Sequence, residues 1–217
     1  MRTLNWGDFW FLPFAARWTI LLSAMAFIGG GTIGVAIALM RVSENRVLRW
    51  IAIGYIRVFQ GTPLLLQLFL VFFGSDMLGF GLPPLVAAAL GLSLNAGAFL
   101  GEIWRGSIQS VAPGQTEAAR ALGLHYGPRM LKVVLPQALR VATAPTVGFL
   151  VNLVKSTSLA AVIGFVELTR AGQLLNNSTF RPFPIFGAVA LIYFLLCWPL
   201  TLLSRRLEKR LGAAYKR

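Results

Sequence analysis

Charge is what this sequence has least of. Only 12% of its 217 residues are Asp, Glu, Lys or Arg, while 57% are hydrophobic; a soluble domain carries about a quarter charged residues. Too few charges remain to coat an aqueous fold, and the mean hydropathy of +0.72 places the chain in a bilayer. Its one cysteine, Cys197, excludes an intrachain disulfide and reads as a small apolar packing residue. Its one histidine, His125, is distant from that cysteine, so neither a metal-ligand set nor a base–nucleophile constellation is expected. The hydrophobic runs also lack the clustered His, Asp or Cys that a membrane-embedded enzyme would need. No G-x-x-x-x-G-K-[ST] loop is present, so nucleotide is not expected to bind here. The first sixteen residues lack a basic stretch, apolar core and small-residue cleavage site, so the first span is expected to be retained as an anchor. No internal repeat is evident, which disfavours the inverted-repeat folds of secondary transporters.

Five apolar runs are what remains. A helix needs about 20 mostly apolar residues to cross the hydrocarbon core. Residues 18–40, 58–75 (starting earlier, near Trp50), 77–101 once the turn at Pro83 and Pro84 is set aside, 141–166 interrupted only by Lys155, and 182–204 meet that requirement. The expected fold is an all-α membrane protein with about five transmembrane helices. It divides into an interfacial N-terminal segment over 1–17, a transmembrane domain over 18–204 with a polar insert at 113–136, and a basic tail over 205–217. Phe9, Trp10, Phe11 and Phe14, with Asp8 and Arg17, suggest an amphipathic stretch at the membrane surface.

The net charge of +13 is distributed by side. Arg41, Arg46 and Arg49 follow the first run; Arg105, Arg120, Arg129, Lys132 and Arg140 lie between the third and fourth; Arg205, Arg206, Lys209, Arg210, Lys216 and Arg217 follow the fifth. The other side has only Arg2, Arg17, Arg170 and Arg181, among Asp8, Asp76 and Glu167. Lys and Arg concentrate in cytoplasmic loops, so the amino terminus is expected outside and the carboxyl terminus inside. The basic excess is thus a topology signal, and no nucleic-acid partner is expected.

Within the runs, Gly30 with Gly34 and Gly97 with Gly101 have the four-residue spacing that lets helices approach closely in lipid; packing within one bundle is the first reading, a dimerisation seam the second. Pro63 removes a backbone donor and Gly61 loosens the helix. That break is either an ordinary kink or a polar turn lining a path.

The insert has its own grammar. Pro113 and Gly114 open a helix over 115–122, with Glu117 in the first turn where the helix dipole favours a carboxylate. Gly123 is placed to end it in a left-handed conformation, and Tyr126-Gly127-Pro128 restarts the chain with proline at a first helical position. A second helix is expected through Leu131, Val134 and Leu135 to Pro136, lying against the inner face. Ala118, Ala119 and Ala121 are small enough to sink into a partner's groove, with Leu122 and Leu124 as apolar anchors and Glu117 and Arg120 as a polar rim. Packing on its own protein alone is the competing reading.

Glu117, Ala118, Ala119, Gly123, Val133, Leu135 and Pro136 match E-A-A-x3-G-x9-[IV]-x-L-P, which resembles the cytoplasmic coupling loop of binding-protein-dependent ABC importers. The likeness extends through Gln60 to Leu68, similar to R-G-T-P-L-L-x-Q-L of polar amino-acid permeases, and through Ala98 to Gly106. It continues through Leu135 to Arg140, then Lys155-Ser156-Thr157-Ser158-Leu159 and Glu167-Leu168, similar to K-D-T-S-L and E-L, and so covers most of 55–170. The resemblance, to the histidine, glutamine, glutamate, arginine and opine branch, implies a type I ABC importer permease (MetI-like) fold in a bacterial inner membrane. It implies an ABC ATPase dimer inside, a second permease subunit, identical or homologous, and a periplasmic amino-acid-binding protein outside, with an amino acid as substrate. ATP and Mg would sit on the partner ATPase, with no cofactor on this chain. Glu117, Ala118, Ala119, Arg120, Gly123 and Leu124 would couple to that ATPase. Two positions depart from the pattern: Gln60 replaces the usual arginine and Ser156 the usual aspartate. Either the substrate is not cationic or a non-identical second permease carries the site.

Candidates for the substrate path are Gln60, Thr62 and Gln67 on the second run and Lys155, Ser156, Thr157 and Ser158 on the fourth. A charge at the depth of Lys155 needs a partner or water. It would attract a substrate carboxylate or hold a gate, or it would pair structurally with Glu102 or helix-end carbonyls; the structural role is preferred. Thr157 and Ser158 can bind a zwitterion or satisfy the backbone of a broken helix. Glu102 and Arg105, three apart on one helical face, form a gate or structural ion pair, and Asn95 is a weaker candidate. The alternative function, a stand-alone secondary transporter or channel, would need intramembrane carboxylates for ion coupling.

Overall fold

In the computed structural model the described residues are Gly7 and 10–215, with side chains through 210. Among them every regular element is helical: α1 Phe11–Val42, α2 Arg46–Gly61, α3 Leu64–Met77, α4 Pro84–Gln109, α5 Pro113–Ala121, α6 Tyr126–Arg129, a π turn Met130–Val134, α7 Leu135–Ser156, a 3₁₀ segment Thr157–Ile163, α8 Leu168–Thr179 and α9 Pro182–Tyr215. Four helical stretches are long and apolar enough to cross a membrane, and five if α2 and α3 count as one broken span.

Helix α4 is the hub. Its alanines and leucines, Ala87, Ala88, Leu92 and Ala96, form a core with Leu22 and Ala26 of α1, Leu68 of α3, Leu153 of α7 and Ala160 and Ile163 of the 3₁₀ segment. The α1–α4 contact is the most extensive in the bundle, and glycine makes it possible. A Cβ on Gly30 would lie 2.5 Å from Ala96 Cβ, and one on Gly97 would lie 2.5 Å from Ile33 Cγ2. The spaced glycines are therefore spent on contact within the chain. α9 is mostly exposed on the outside of the bundle.

The second run is not one kinked helix. α2 and α3 meet at 102°, because the residue before a proline is pushed out of the helical region: Thr62 is extended at φ −114°, ψ 144°. The expected stop at Pro136 is also absent. Tyr126 to Ile163 runs as one helical stretch, since the chain widens to a π turn in which Leu135 N–H bonds Met130 O, making room for a proline that lacks a donor.

Three further differences concern the ends and the loop after the fourth run. Phe11 to Arg17 are the first turns of α1, and Leu12, Ala15 and Ala16 pack against Leu168, Ala171 and Val189, so no break separates them from the first span. Trp10 and Phe14 stay exposed, while Arg2, Asp8 and Phe9 lie outside the described residues. At the other end α9 carries Arg205, Arg206, Lys209 and Arg210 within the same helix, and Lys216 and Arg217 lie outside the described residues. The loop after the fourth run holds an unforeseen helix, α8. Its N-cap, Glu167, is fully buried and accepts hydrogen bonds from Arg170 N–H at 2.9 Å, Tyr193 OH at 2.7 Å and Thr19 Oγ1 at 3.4 Å. One carboxylate thus joins α1, α8 and α9.

Candidate functional site

The break between α2 and α3 leaves carbonyls without helical partners, which in a membrane must be satisfied by protein. Gln67, one turn into α3, does this. Its Nε2 donates to Phe59 O at 2.9 Å, Thr62 O at 3.0 Å and Thr62 Oγ1 at 2.9 Å. Asn95 of α4 donates to Phe59 O at 3.2 Å and to Gln67 Oε1 at 3.0 Å, and Gln60 Nε2 donates to Ala98 O at 3.2 Å. The break is thereby tied to the hub.

Beside it opens a cavity of about 300 Å³ lined by Phe59, Gln60, Thr62, Asn95, Asn152 and Ser156, with Phe99 and Phe149, whose rings stack at 5.6 Å. Asn152 and Ser156 make no side-chain hydrogen bond among the described residues. Three candidates from the sequence, Gln60, Thr62 and Ser156, meet here. Gln67 is buried behind the wall. Thr157 and Ser158 are turned to the backbone, donating to Val154 O and Lys155 O at 2.7 Å each, where α7 tightens into the 3₁₀ segment. Sequence reasoning missed Asn152, Phe99 and Phe149. An amide one turn before Lys155 in an apolar run was the available signal for Asn152; nothing marked the two phenylalanines.

Lys155 does not pair with Glu102. It is exposed and lines a separate groove of about 520 Å³ with Tyr193, Cys197, Trp198, Thr201 and Arg205 of α9. Glu102 instead accepts from Arg105 Nε at 2.9 Å and, through Oε1, from a second Arg105 nitrogen; Arg105 also bonds Gln109, and Arg41 Nε stands 3.8 Å from Glu102. This network joins α1 to α4 at the basic end of the bundle.

The insert folds as a hook. Pro113 opens α5, two residues earlier than expected, which moves Glu117 into the second turn. Gly123 takes φ +76°, and its N–H bonds Arg120 O at 2.9 Å while Leu124 N–H bonds Ala119 O at 3.0 Å, a paired closure of the helix end that requires a left-handed residue. Gln137 Nε2 bonds Gln115 Oε1 at 3.2 Å, fastening α5 to the base of α7. Ala119 is buried inside the chain, so it supports the hook and cannot enter a partner's groove. Glu117, Ala118, Arg120 and Gly123 are exposed, Leu124 is half-buried, and Leu122 projects with 82% of its surface open.

Residues 30–213 match the family described as Binding-protein-dependent transport system inner membrane component. The chain is 37% identical over 193 residues to the probable amino-acid ABC transporter permease protein YckA of Bacillus subtilis (strain 168), covering 89% of this chain and 85% of that one. It is 36% identical over 197 residues to the probable glutamine ABC transporter permease protein GlnM of the same organism, covering 91% of each. Among solved structures it is similar to a crystal structure of an amino acid ABC transporter with histidines, at TM-score 0.88 and 32% identity, covering 96% of this chain and all of that one.

Proposed function

This chain belongs to the family of binding-protein-dependent transport system inner membrane components, and from that premise we propose that it is the transmembrane permease subunit of an ATP-driven importer of polar amino acids. The observation that carries the reading is likeness along nearly the whole chain to amino-acid permeases, with identities above 30%. The chain supplies half of the translocation path. A second permease supplies the other half, an ATPase pair binds ATP and Mg on the cytoplasmic side, and a binding protein delivers the amino acid from outside. The amino terminus faces outward and the basic carboxyl end the cytoplasm.

Closure of the ATPase pair on ATP moves the hook formed by α5 and the Gly123 turn. α6, the π turn and α7 are continuous with it, so the displacement reaches the path wall, where Asn152 and Ser156 sit on α7. A stiff connection matters because packed helices shift as units. The cavity has the make-up of a small-molecule site, apolar rings with a few polar groups: Asn152 and Ser156, without side-chain partners among the described residues, and the carbonyl oxygen of Gln60 offer neutral contacts to a polar side chain or an ammonium group.

The test is reconstitution in proteoliposomes with the neighbouring ATPase and binding protein, following labelled glutamine. Uptake that requires ATP and all components is expected, and Glu117→Lys or Gly123→Pro should separate ATP hydrolysis from uptake without loss of membrane insertion. Uptake by this chain without ATP would instead establish a stand-alone transporter. A reporter fused to the carboxyl terminus tests the orientation, since an outward-facing reporter contradicts it.

A further inference from the structure

We infer that Lys155 holds the carboxylate of the transported amino acid, and that it biases the path toward neutral and acidic amino acids over cationic ones. This rests on the permease reading above. Lys155 lies eight residues before the end of the Tyr126–Ile163 helical stretch, about 12 Å or more inside it by helical rise. A cation at that depth requires a counter-charge or water, yet among the described residues it has no ion pair and no side-chain hydrogen bond.

Among the described residues no carboxylate of this chain supplies the counter-charge. Of the seven acidic residues, Glu44, Glu117 and Glu208 lie at the basic end of the bundle, Asp76 at the opposite end, and Asp8 outside the described residues. Glu102 is committed to Arg105 and Arg41, and Glu167 is fully buried with three donors. Arg205 lines the same groove and has Glu208 three positions on in the sequence, whereas Lys155 has no ion pair among the described residues.

The neighbouring cavity contains no charged side chain at all: its polar lining is Gln60, Thr62, Asn95, Asn152 and Ser156. Lys155 follows Asn152 by three positions and precedes Ser156 by one, so the groove and the cavity flank one exposed ridge of α7. An amino acid against that ridge meets amides and hydroxyls on one side and an ammonium on the other. The carboxylate pairs with Lys155, a neutral or acidic side chain is accommodated, and a guanidinium or second ammonium meets a like charge with no carboxylate to offset it.

Equilibrium binding to the assembled importer in nanodiscs, without the binding protein, decides the matter. The probes are labelled glutamine, glutamate and arginine, with glutamine whose α-carboxylate is amidated as competitor. Wild type should bind glutamine and glutamate more tightly than arginine and discriminate against the amidated competitor. Lys155→Gln should weaken glutamine binding about tenfold, the scale of one charge-assisted hydrogen bond, and abolish that discrimination; Lys155→Arg should retain both. Equal glutamine affinity in wild type and Lys155→Gln, or discrimination that survives the substitution, overturns the inference. Should Lys155→Gln fail to assemble, Ser156→Asp places a carboxylate beside the ammonium and should weaken glutamine binding to a similar degree; no change overturns the inference equally. Absence of binding in wild type also overturns it, and ATP-driven uptake by the same preparation in liposomes then shows whether the permease reading survives.

Discussion

Gln67→Leu is expected to be among the costliest single polar substitutions in this chain. The side chain is 6% exposed, so leucine fills the same space and the loss is almost wholly polar. One amide nitrogen serves Phe59 O, Thr62 O and Thr62 Oγ1, and its carbonyl accepts from Asn95. Without it Phe59 O retains only the 3.2 Å bond from Asn95, while Thr62 O loses its Gln67 donor next to Pro63, which can supply no N–H. Hydrogen bonds between membrane helices are worth about 0.6 kcal/mol on average, and an orphaned buried acceptor costs about 1–3 kcal/mol, so the expected total is about 2–3 kcal/mol. Gln60→Leu removes one 3.2 Å bond to Ala98 O from an exposed side chain and should cost about 0.5 kcal/mol. Unfolding by SDS in mixed micelles, read by labelling of Cys197, provides the assay, because that residue is the sole cysteine and is buried. A midpoint shift for Gln67→Leu no larger than for Gln60→Leu would refute the account of the break.

The same logic extends to four other places. Gly30→Leu should abolish the monodisperse peak in detergent size exclusion, since even a Cβ there meets Ala96 Cβ at 2.5 Å and Gly97 N at 3.1 Å. Gly54→Ala meets nothing within 4 Å and should be neutral or stabilising by up to about 1 kcal/mol through helix propensity. Gly123→Ala has room for its methyl but must hold φ +76°, at about 1 kcal/mol; co-purification of the ATPase subunit should fall, with Gly123→Asn intermediate. Glu167→Gln weakens an N-cap worth about 1–2 kcal/mol and should raise proteolytic cutting within 168–179. Tyr193→Phe, which leaves the Arg170 and Thr19 donors in place, should raise it less, and equal cutting in both would remove the carboxylate from the role of joining α1, α8 and α9.

Sequence alone determined the features that composition and short-range chemistry dictate. Twenty apolar residues in a row demand a membrane helix because lipid satisfies no backbone group, so the spans were legible apart from their ends and the sharp break within the second. Gly123 was legible as a left-handed stop because the requirement is local to one residue and its neighbours. The i, i+3 spacing likewise brought Glu102 and Arg105 together without any tertiary information. Only the tertiary structure decided matters that depend on what lies across a helix interface. Pro63 announced a break, but the carbonyls that its 102° bend frees are met by Gln67 and Asn95, which lie twenty-eight positions apart in the chain. Pro136 announced a stop, yet a π turn carried the helix past it, a choice that periodicity cannot express. Glu102 and Lys155 suited one another by charge, but α4 and α7 present them to different spaces, and Ala119 faces inward because α5 leans on the base of α7. Residues on one helix know their neighbours by spacing; residues on two helices know them only through packing, and packing is a property of the whole bundle.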